Sequence, residues 1–340
     1  MPKGSHAHLL ILGLALVTSL PARSDCVRSE KRPYGENAPW NVPVAGLPRH
    51  ENSNEYVRRL WEEGSNRPGN FNSFFDEYTY PVYYARDATK LFPVETEWQR
   101  PLNGQLMPWN ADWKAAPGDD AQVIVLDPDN GIEWDLWQVK FDGHTIKATN
   151  GSRIPGSYWT REVGYAPSRG VGIPYLAMLV RGYEVVDGLI PHALAMPVIN
   201  TDGYEYFPPA TKIEFPKKRK NGLPEGIRFA LDVSDEDIGS WIASLPQELS
   251  PATRKSARVI AHALRDYGWF VVDSAGAATL QFESRLTAEG CWSMAGLEAM
   301  EIDDKEYPRD LLDGLMTKER IYAVVPSDAY PANKRARAEK

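Results

Sequence analysis

The sequence predicts a mainly β protein, a β-sandwich or jelly roll carrying one packed C-terminal helix. Three observations predict it. Twenty-six Gly and twenty-seven Pro in 340 residues suit strands and loops better than a helical bundle. Short apolar runs bounded by turn residues recur at intervals of roughly 8 to 12 residues. Only residues 250–267 carry a sustained helical stripe, with Ile260, Ala263, Leu264 and Tyr267 along one side. Residues 25–330 show no internal repeat, no low-complexity linker and no break in composition, so they read as a single β-rich domain.

In chain order, residues 1–24 read as a signal peptide: Lys3, His6 and His8 precede an apolar run over residues 9–17 that is too short to span a bilayer. Ala22-Arg23-Ser24 offers a cleavage site, which implies a secreted or periplasmic protein with no membrane insertion. Residues 25–55, rich in Pro and Asn, form an ordered arm. A short amphipathic helix follows over residues 54–63, with Tyr56, Leu60 and Trp61 at helical spacing. Residues 78–86 and 90–94 read as strands, Pro81 confining the first to an edge. Residues 99–118 read as irregular. Residues 173–185 read as partly helical, 192–198 as a buried strand, and 204–211, 212–216 and 226–233 as strands. The basic tip over residues 217–220 is a solvated hairpin end. Ser250 caps the one helix with Pro251 in its first turn, and Gly268 stops it. Residues 269–272 and 279–283 resume strand character, and residues 331–340 form a flexible basic tail.

Residues 122–126 and 132–141 form the most informative pair, joined by Asp127-Pro128-Asp129-Asn130-Gly131, whose Pro and Asn-Gly favour a turn. Alternation along the return strand puts Ile132, Trp134 and Leu136 on one face. Glu133, Asp135, Trp137, Val139 and Phe141 fall on the other. Glu133 and Asp135 are then separated by roughly 6.6 Å along the strand, at about 3.3 Å per residue. Two carboxylates beside an indole are the equipment for protonating and displacing a glycosidic oxygen.

Composition excludes other chemistries. A net charge of −8 argues against a nucleic-acid partner. No phosphate loop, dinucleotide fingerprint or serine-nucleophile elbow occurs, so no cofactor is expected. His50, His144, His192 and His262 show no metal-ligand spacing, so no metal is expected either. Cys26 and Cys291 are the only cysteines, an even pair that in an oxidising compartment suggests a disulfide.

Two resemblances add to this. The Glu-x-Asp pair of residues 133–135 is similar to the acidic strand motif of jelly-roll glycoside hydrolases, although Trp137 stands where that motif would place a third acid. Residues 114–127, Asp135-Leu136-Trp137-Gln138, residues 173–180, residues 191–196 (PHALAM), Pro209-Ala210-Thr211-Lys212, Leu223-Pro224-Glu225-Gly226 and residues 266–273 (DYGWFVVD) resemble the ordered landmarks of a larger family. Its members are secreted bacterial proteins, abundant in actinobacteria, without a firmly assigned activity. This resemblance brings forward Asp135, His192, Glu214 and Asp273.

The expectation is a secreted glycoside hydrolase acting on a polysaccharide or oligosaccharide. Asp135 would be nucleophile or general base, Glu133 or Glu214 the general acid, and His192 would orient a carboxylate. Asp273 completes the catalytic candidates. Trp137, with Trp134, Gln138 and Lys140, is the candidate sugar-contact set. Asp135, His192 and Glu133 or Glu214 are expected to line one open groove. Two alternatives stay open: a lyase on a uronate-containing glycan, and a non-catalytic carbohydrate-binding or envelope protein. Glycan, linkage, stereochemical outcome and oligomeric state have no signature in the sequence.

Overall fold

The computed structural model describes residue 26 and residues 33–154 and 166–330. The expected leader, the Pro155-Gly156 turn and the tail beyond residue 330 lie outside the described residues. Strand outweighs helix only narrowly, 28% against 23%, so the chain is mainly β in the coarse sense.

Helix α1 (Ser53–Glu63) opens the chain and is followed by β1 (Phe71–Ser73), β2 (Val82–Tyr84), β3 (Lys90–Thr96) and β4 (Leu106–Trp109). The central hairpin is β5 (Val123–Asp127) and β6 (Ile132–Trp137), then β7 (Lys140–Phe141), β8 (Ile146–Ala148) and β9 (Asn150–Ile154). Helix α2 (Gly182–Asp187) precedes β10 (Leu194–Val198), β11 (Thr201–Tyr206), β12 (Leu223–Glu225) and β13 (Arg228–Leu231). Helices α3 (Asp235–Ser244) and α4 (Pro251–Asp266) lead to β14 (Trp269–Ser274) and β15 (Ala278–Leu280). Helix α5 (Arg285–Met294), the hairpin β16 (Met300–Ile302) and β17 (Lys305–Tyr307), and β18 (Ile321–Val324) complete the order.

Among the described residues the strands form six small sheets, and five α-helices stand where the sequence promised one packed C-terminal helix. Three of the sheets have four strands: β4-β3-β8-β7, β2-β5-β6-β9 and β10-β14-β13-β18. Period-two alternation stacks them. Phe92 and Val94 of β3, Val123 and Val125 of β5, and Trp134 and Leu136 of β6 share one apolar cluster between the first two sheets. The opposite faces of β2 and β5, through Val82, Ile124 and Leu126, share a second cluster with Phe270 and Val272 of β14. Trp269 and Val271, pointing the other way, join Leu194 and Met196 in a third cluster that takes the buried sides of α1, α3, α4 and α5. Among the described residues the three four-stranded sheets are thus stacked and closed by a helical layer.

Local chemistry explains the parts that were legible. Ser250 Oγ accepts the Thr253 N–H and Pro251 opens α4, whose end is set by Gly268 at φ 65°. The β5–β6 register, Val123 opposite Leu136 through Asp127 opposite Ile132, is that of the expected hairpin. β2 is an edge strand, as Pro81 required. Within the described part of the arm before α1, Tyr34 and Trp40 are buried, and the Arg228 guanidinium donates to Val42 O at 2.6 Å. Cys26 and Cys291 form a disulfide that ties the arm to α5. Several local expectations fail. The strand expected over residues 204–211 ends at Tyr206, and that over 132–141 breaks at Gln138, which brings Val139 and Phe141 to the Trp134 side. The basic tip at residues 217–220 is exposed but joins β11 to β12, which pair in parallel, so it does not end a hairpin. Residues 212–216 form no strand, because Glu214 N is taken by a side chain rather than a ladder. Within the stretch read as irregular, residues 106–109 pair with β3, Pro108 being tolerated because β4 lies at a sheet edge.

Candidate functional site

Side-chain alternation along β6 sends Glu133 and Asp135 away from Trp134 and Leu136, as the sequence requires, but into the second apolar cluster rather than into a groove. Both side chains have no exposed surface. This corrects the expectation of an open groove lined by Asp135: β14 and the segment at residues 173–179 cover that face. The two carboxyl groups lie within hydrogen-bonding reach of one another. Tyr34 Oη donates to Glu133 Oε2 at 2.5 Å, Leu176 N to Glu133 Oε1 at 3.1 Å and Tyr175 N to Asp135 Oδ2 at 2.9 Å. Asp135 Oδ1 has no other partner. Burial raises the pKa of both acids, and the neighbouring Glu133 charge raises that of Asp135 further. A proton shared between them satisfies the unpaired oxygen and removes one buried charge.

A second acid cluster lies nearer to solvent. Its frame is the loop at residues 166–172, packed between β14 and the segment at residues 208–214. Val171 N donates to Val272 O at 3.2 Å, and Thr211 N donates to Val171 O at 2.9 Å. Gly170 N donates to Asp273 Oδ1. A Cβ at Gly170 would collide with that oxygen and lie 2.9 Å from Glu214 Cδ, so only glycine allows this approach. Glu214 Oε2 accepts Ser274 N at 2.8 Å, and Glu225 Oε2 accepts Glu214 N at 3.0 Å. Lys212 Nζ donates to Pro167 O at 3.3 Å. Burial, with the Glu214 charge beside it, pushes the Asp273 pKa up to about 8. Burial pushes Glu225 up to about 8 as well, raises Glu214, and lowers Lys212. Asp273 nevertheless keeps 19% of its side chain exposed, and Glu214 and Lys212 are half-buried.

Arg169 joins the two clusters. Its fully buried guanidinium sits 3.6 Å from Asp273 Oδ2, donates to Gln281 Oε1 at 2.7 Å, and acts on the charges of Asp135 and Glu133. The rings of Tyr80 and Tyr175 lie 5.8 and 5.2 Å from its centre.

The remaining candidates are dispersed. His192 is buried with Glu184, its Nε2 3.2 Å from Glu184 Oε2 and its Nδ1 2.8 Å from Ala193 O, so it orients neither acid cluster. Leu176, whose N–H reaches Glu133, borders the same small cleft as His192. Trp134 belongs to the apolar core between the first two sheets, where no sugar reaches it. Trp137 is half-buried; its Nε1 donates to Asp120 Oδ1 at 3.0 Å and its ring lies 5.5 Å from that of Trp98, which is 60% exposed. Gln138, at φ 57°, donates its backbone N–H to Asp120 O, and Lys140 is exposed. Asn150, opposite Trp137 in the β6–β9 register, donates to Pro167 O, the same carbonyl that holds Lys212. The aromatic end of β6 and the outer acid cluster therefore flank one loop.

Sequence reasoning missed Arg169, Glu225, Tyr34 and Trp98. Arg169 stands in Ser168-Arg169-Gly170-Val171-Gly172, where glycines close to a single basic residue were the available signal. Glu225 lay inside a quoted landmark but carried no local mark of burial. Comparison with family models, with curated proteins and with solved structures finds no match for the chain.

Proposed function

We propose that the protein is an exported carbohydrate-active hydrolase whose acid–base chemistry is carried by Asp273 and Glu214. The observation that carries this reading is Asp273 itself. It is a partly exposed carboxyl beside a second carboxyl, and it holds its proton through neutral pH because burial and Glu214 oppose its ionisation. A protonated acid next to a carboxylate able to activate water or attack carbon is the arrangement that cleaves a glycosidic bond. Lys212 and Arg169 limit the negative charge that the pair accumulates. Trp98 and Trp137, beyond Asn150 and Pro167, supply aromatic faces on which a pyranose can stack. The inner pair, Glu133 and Asp135, becomes a support that fixes Tyr175 and Leu176 rather than the reacting group first expected. The Cys26–Cys291 disulfide suits an oxidising compartment. The segments that resemble the secreted actinobacterial family, residues 209–212, 223–226 and 266–273, all meet at this cluster. That convergence favours a shared site in the family.

The test is reducing-end release from a panel of plant and bacterial glycans by the parent, Asp273→Asn and Glu214→Gln. Loss of a positioned acid or base is expected to cost about 10² to 10⁴ in rate. Equal activity of parent and Asp273→Asn on the glycan so identified rejects the assignment.

A second reading has one observation in its favour. Asp273 and Glu214 each accept a backbone N–H, from Gly170 and Ser274, which is what a purely structural staple would do. Under it the protein binds glycan without cleaving it, and Asp273→Asn leaves glycan affinity intact while no product is released by the parent.

A further inference from the structure

The loop between β11 and β12 carries four consecutive cations, Lys217-Lys218-Arg219-Lys220, in a chain of net charge −8. It is not a loose tip. Lys217 N donates to Gly203 O and Gly203 N to Arg219 O, both at 2.8 Å. A Cβ at Gly203 would lie 2.6 Å from Phe215 O and 2.8 Å from Arg219 O, so only glycine lets β11 seat the loop this closely. The Arg219 guanidinium donates to Ile199 O at 2.6 Å. That anchor puts the loop beside the outer acid cluster. Ile199 follows β10, whose Val198 stands opposite Ser274 of β14, and Ser274 N donates to Glu214. Phe215 directly follows Glu214, and the Arg219 charge acts on that carboxyl.

Two features of the loop have no use in the fold alone. Lys218 Nζ and the Arg219 guanidinium sit 5.5 and 5.4 Å from the centre of the same Phe215 ring, which brings like charges together. Among the described residues none of the four cations forms an ion pair, and Asp202 Oδ1 accepts the Tyr204 and Glu205 N–H groups instead. Second, Tyr204, 59% exposed, lies against the loop, its Oη donating to Lys217 O at 3.4 Å. An exposed aromatic ring takes the apolar face of a pyranose, and cations held beside it take a negative charge on that sugar.

We propose that the outer acid cluster works on an anionic glycan, one bearing carboxylate or sulfate groups, and that Lys218, Arg219 and Lys220 with Tyr204 form the subsite for its charge. The inference rests on the hydrolase reading for the cleavage but not for the binding. The protons retained by Asp273 and Glu225 agree with it, because a fully ionised site would repel such a chain.

The experiment titrates the disulfide-bonded protein calorimetrically with hexasaccharides of galacturonate, alginate and hyaluronan, each paired with its carboxyl-reduced counterpart, and with a sulfated cellohexaose. At least one charged hexasaccharide should bind saturably, about tenfold tighter than its neutral counterpart, and weaken as salt rises. The uronate and sulfate arms identify which group is read. Lys218→Gln with Lys220→Gln, both at exposed positions, should lower the affinity about tenfold and leave the melting temperature unchanged. Lys218→Arg with Lys220→Arg should keep the parent affinity. Turnover separates this inference from the hydrolase reading. A parent that binds a charged glycan but releases no reducing ends defeats the hydrolase and leaves the subsite standing. Charged and neutral forms bound alike, an unaltered affinity in the glutamine double variant, or saturable binding of no charged hexasaccharide would each overturn the subsite, whatever the parent cleaves. Equal binding of an oligothymidylate of matched charge would overturn it too, since charge alone would then be read.

Discussion

Asp273→Asn should stabilise the protein in alkaline solution while abolishing its chemistry. The side chains are nearly isosteric, and the amide oxygen can still accept Gly170 N. In the parent, the carboxyl rises from its ordinary 3.8 to about 8, chiefly through burial and then through Glu214. Below about pH 4 folded and unfolded chains are both protonated there, and the group contributes no difference. Between about pH 4 and 8 the unfolded chain ionises while the folded one holds its proton, so stability falls with rising pH, and it levels off above about 8. That interval, at about 1.36 kcal/mol per pH unit, sets a ceiling of about 6 kcal/mol. Arg169 at 3.6 Å and the partial exposure of Asp273 favour the ionised form. The value of about 8 already contains that opposition, so the realised difference should approach the ceiling, about 4 to 6 kcal/mol. Asparagine has no such term. Loss of the Asp273 charge also eases the ionisation of Glu225, which reinforces the sign. Urea denaturation of parent and variant at about pH 5 and about pH 9 isolates the effect, because titrations outside this cluster are common to both. The variant should exceed the parent by about 1 to 2 kcal/mol at the lower pH and by about 4 to 6 kcal/mol at the higher. A difference that stays constant within about 0.5 kcal/mol across the two conditions would refute the account of a neutral, buried Asp273.

Three further outcomes follow from the same geometry. Gly170→Ala should lower the melting temperature by several degrees and displace the Asp273 and Glu214 carboxyls, since overpacking of this kind costs about 1 to 3 kcal/mol; thermal melts check it. Asp135→Asn should leave the fold intact, its amide donating to Glu133 in place of the shared proton. Asp135→Ala, which strands Tyr175 N and that proton, should cost about 2 to 5 kcal/mol by denaturant titration. Reduction of Cys26–Cys291, which closes a loop of sequence separation 265, should cost about 2 to 4 kcal/mol; native protein in which both thiols titrate before reduction would contradict the bridge.

Local pattern made the central hairpin, the capped helix and the cysteine pair legible, because each is fixed by near neighbours or by a small set of candidates. Helix α3 was missed although Ser234 and Asp237 form a reciprocal cap, since Gly239 interrupts its stripe. Helix α5 is broken by non-helical backbone at Ala288, which weakens its periodicity in the same way. At the site, alternation put Glu133 and Asp135 together but could not say what covers them. That depends on residues 173–179 and β14, distant in sequence. The same holds for Glu225, whose zero exposure is imposed by segments that no local window contains. Asp273 and Glu214 came forward through a resemblance, and their common frame, the glycine-bearing loop around Arg169, had no periodicity to read.

Charge balance ties the fold to the proposed chemistry. Among the described residues, Glu133, Asp135, Glu214, Glu225 and Asp273 share one region with Arg169, Lys212 and, at Glu214, Arg219 to oppose them. Full ionisation would leave uncompensated negative charge in a medium of low polarisability, at a cost the fold avoids by retaining protons. The inner pair is sealed by Tyr34, Tyr175 and Leu176, so its proton has no route to a substrate. Asp273 alone combines a retained proton near neutral pH, contact with the buried guanidinium and a solvent-facing edge. The burial that makes this region expensive to ionise is therefore also what would ready the partly exposed Asp273 carboxyl for the proposed role of acid.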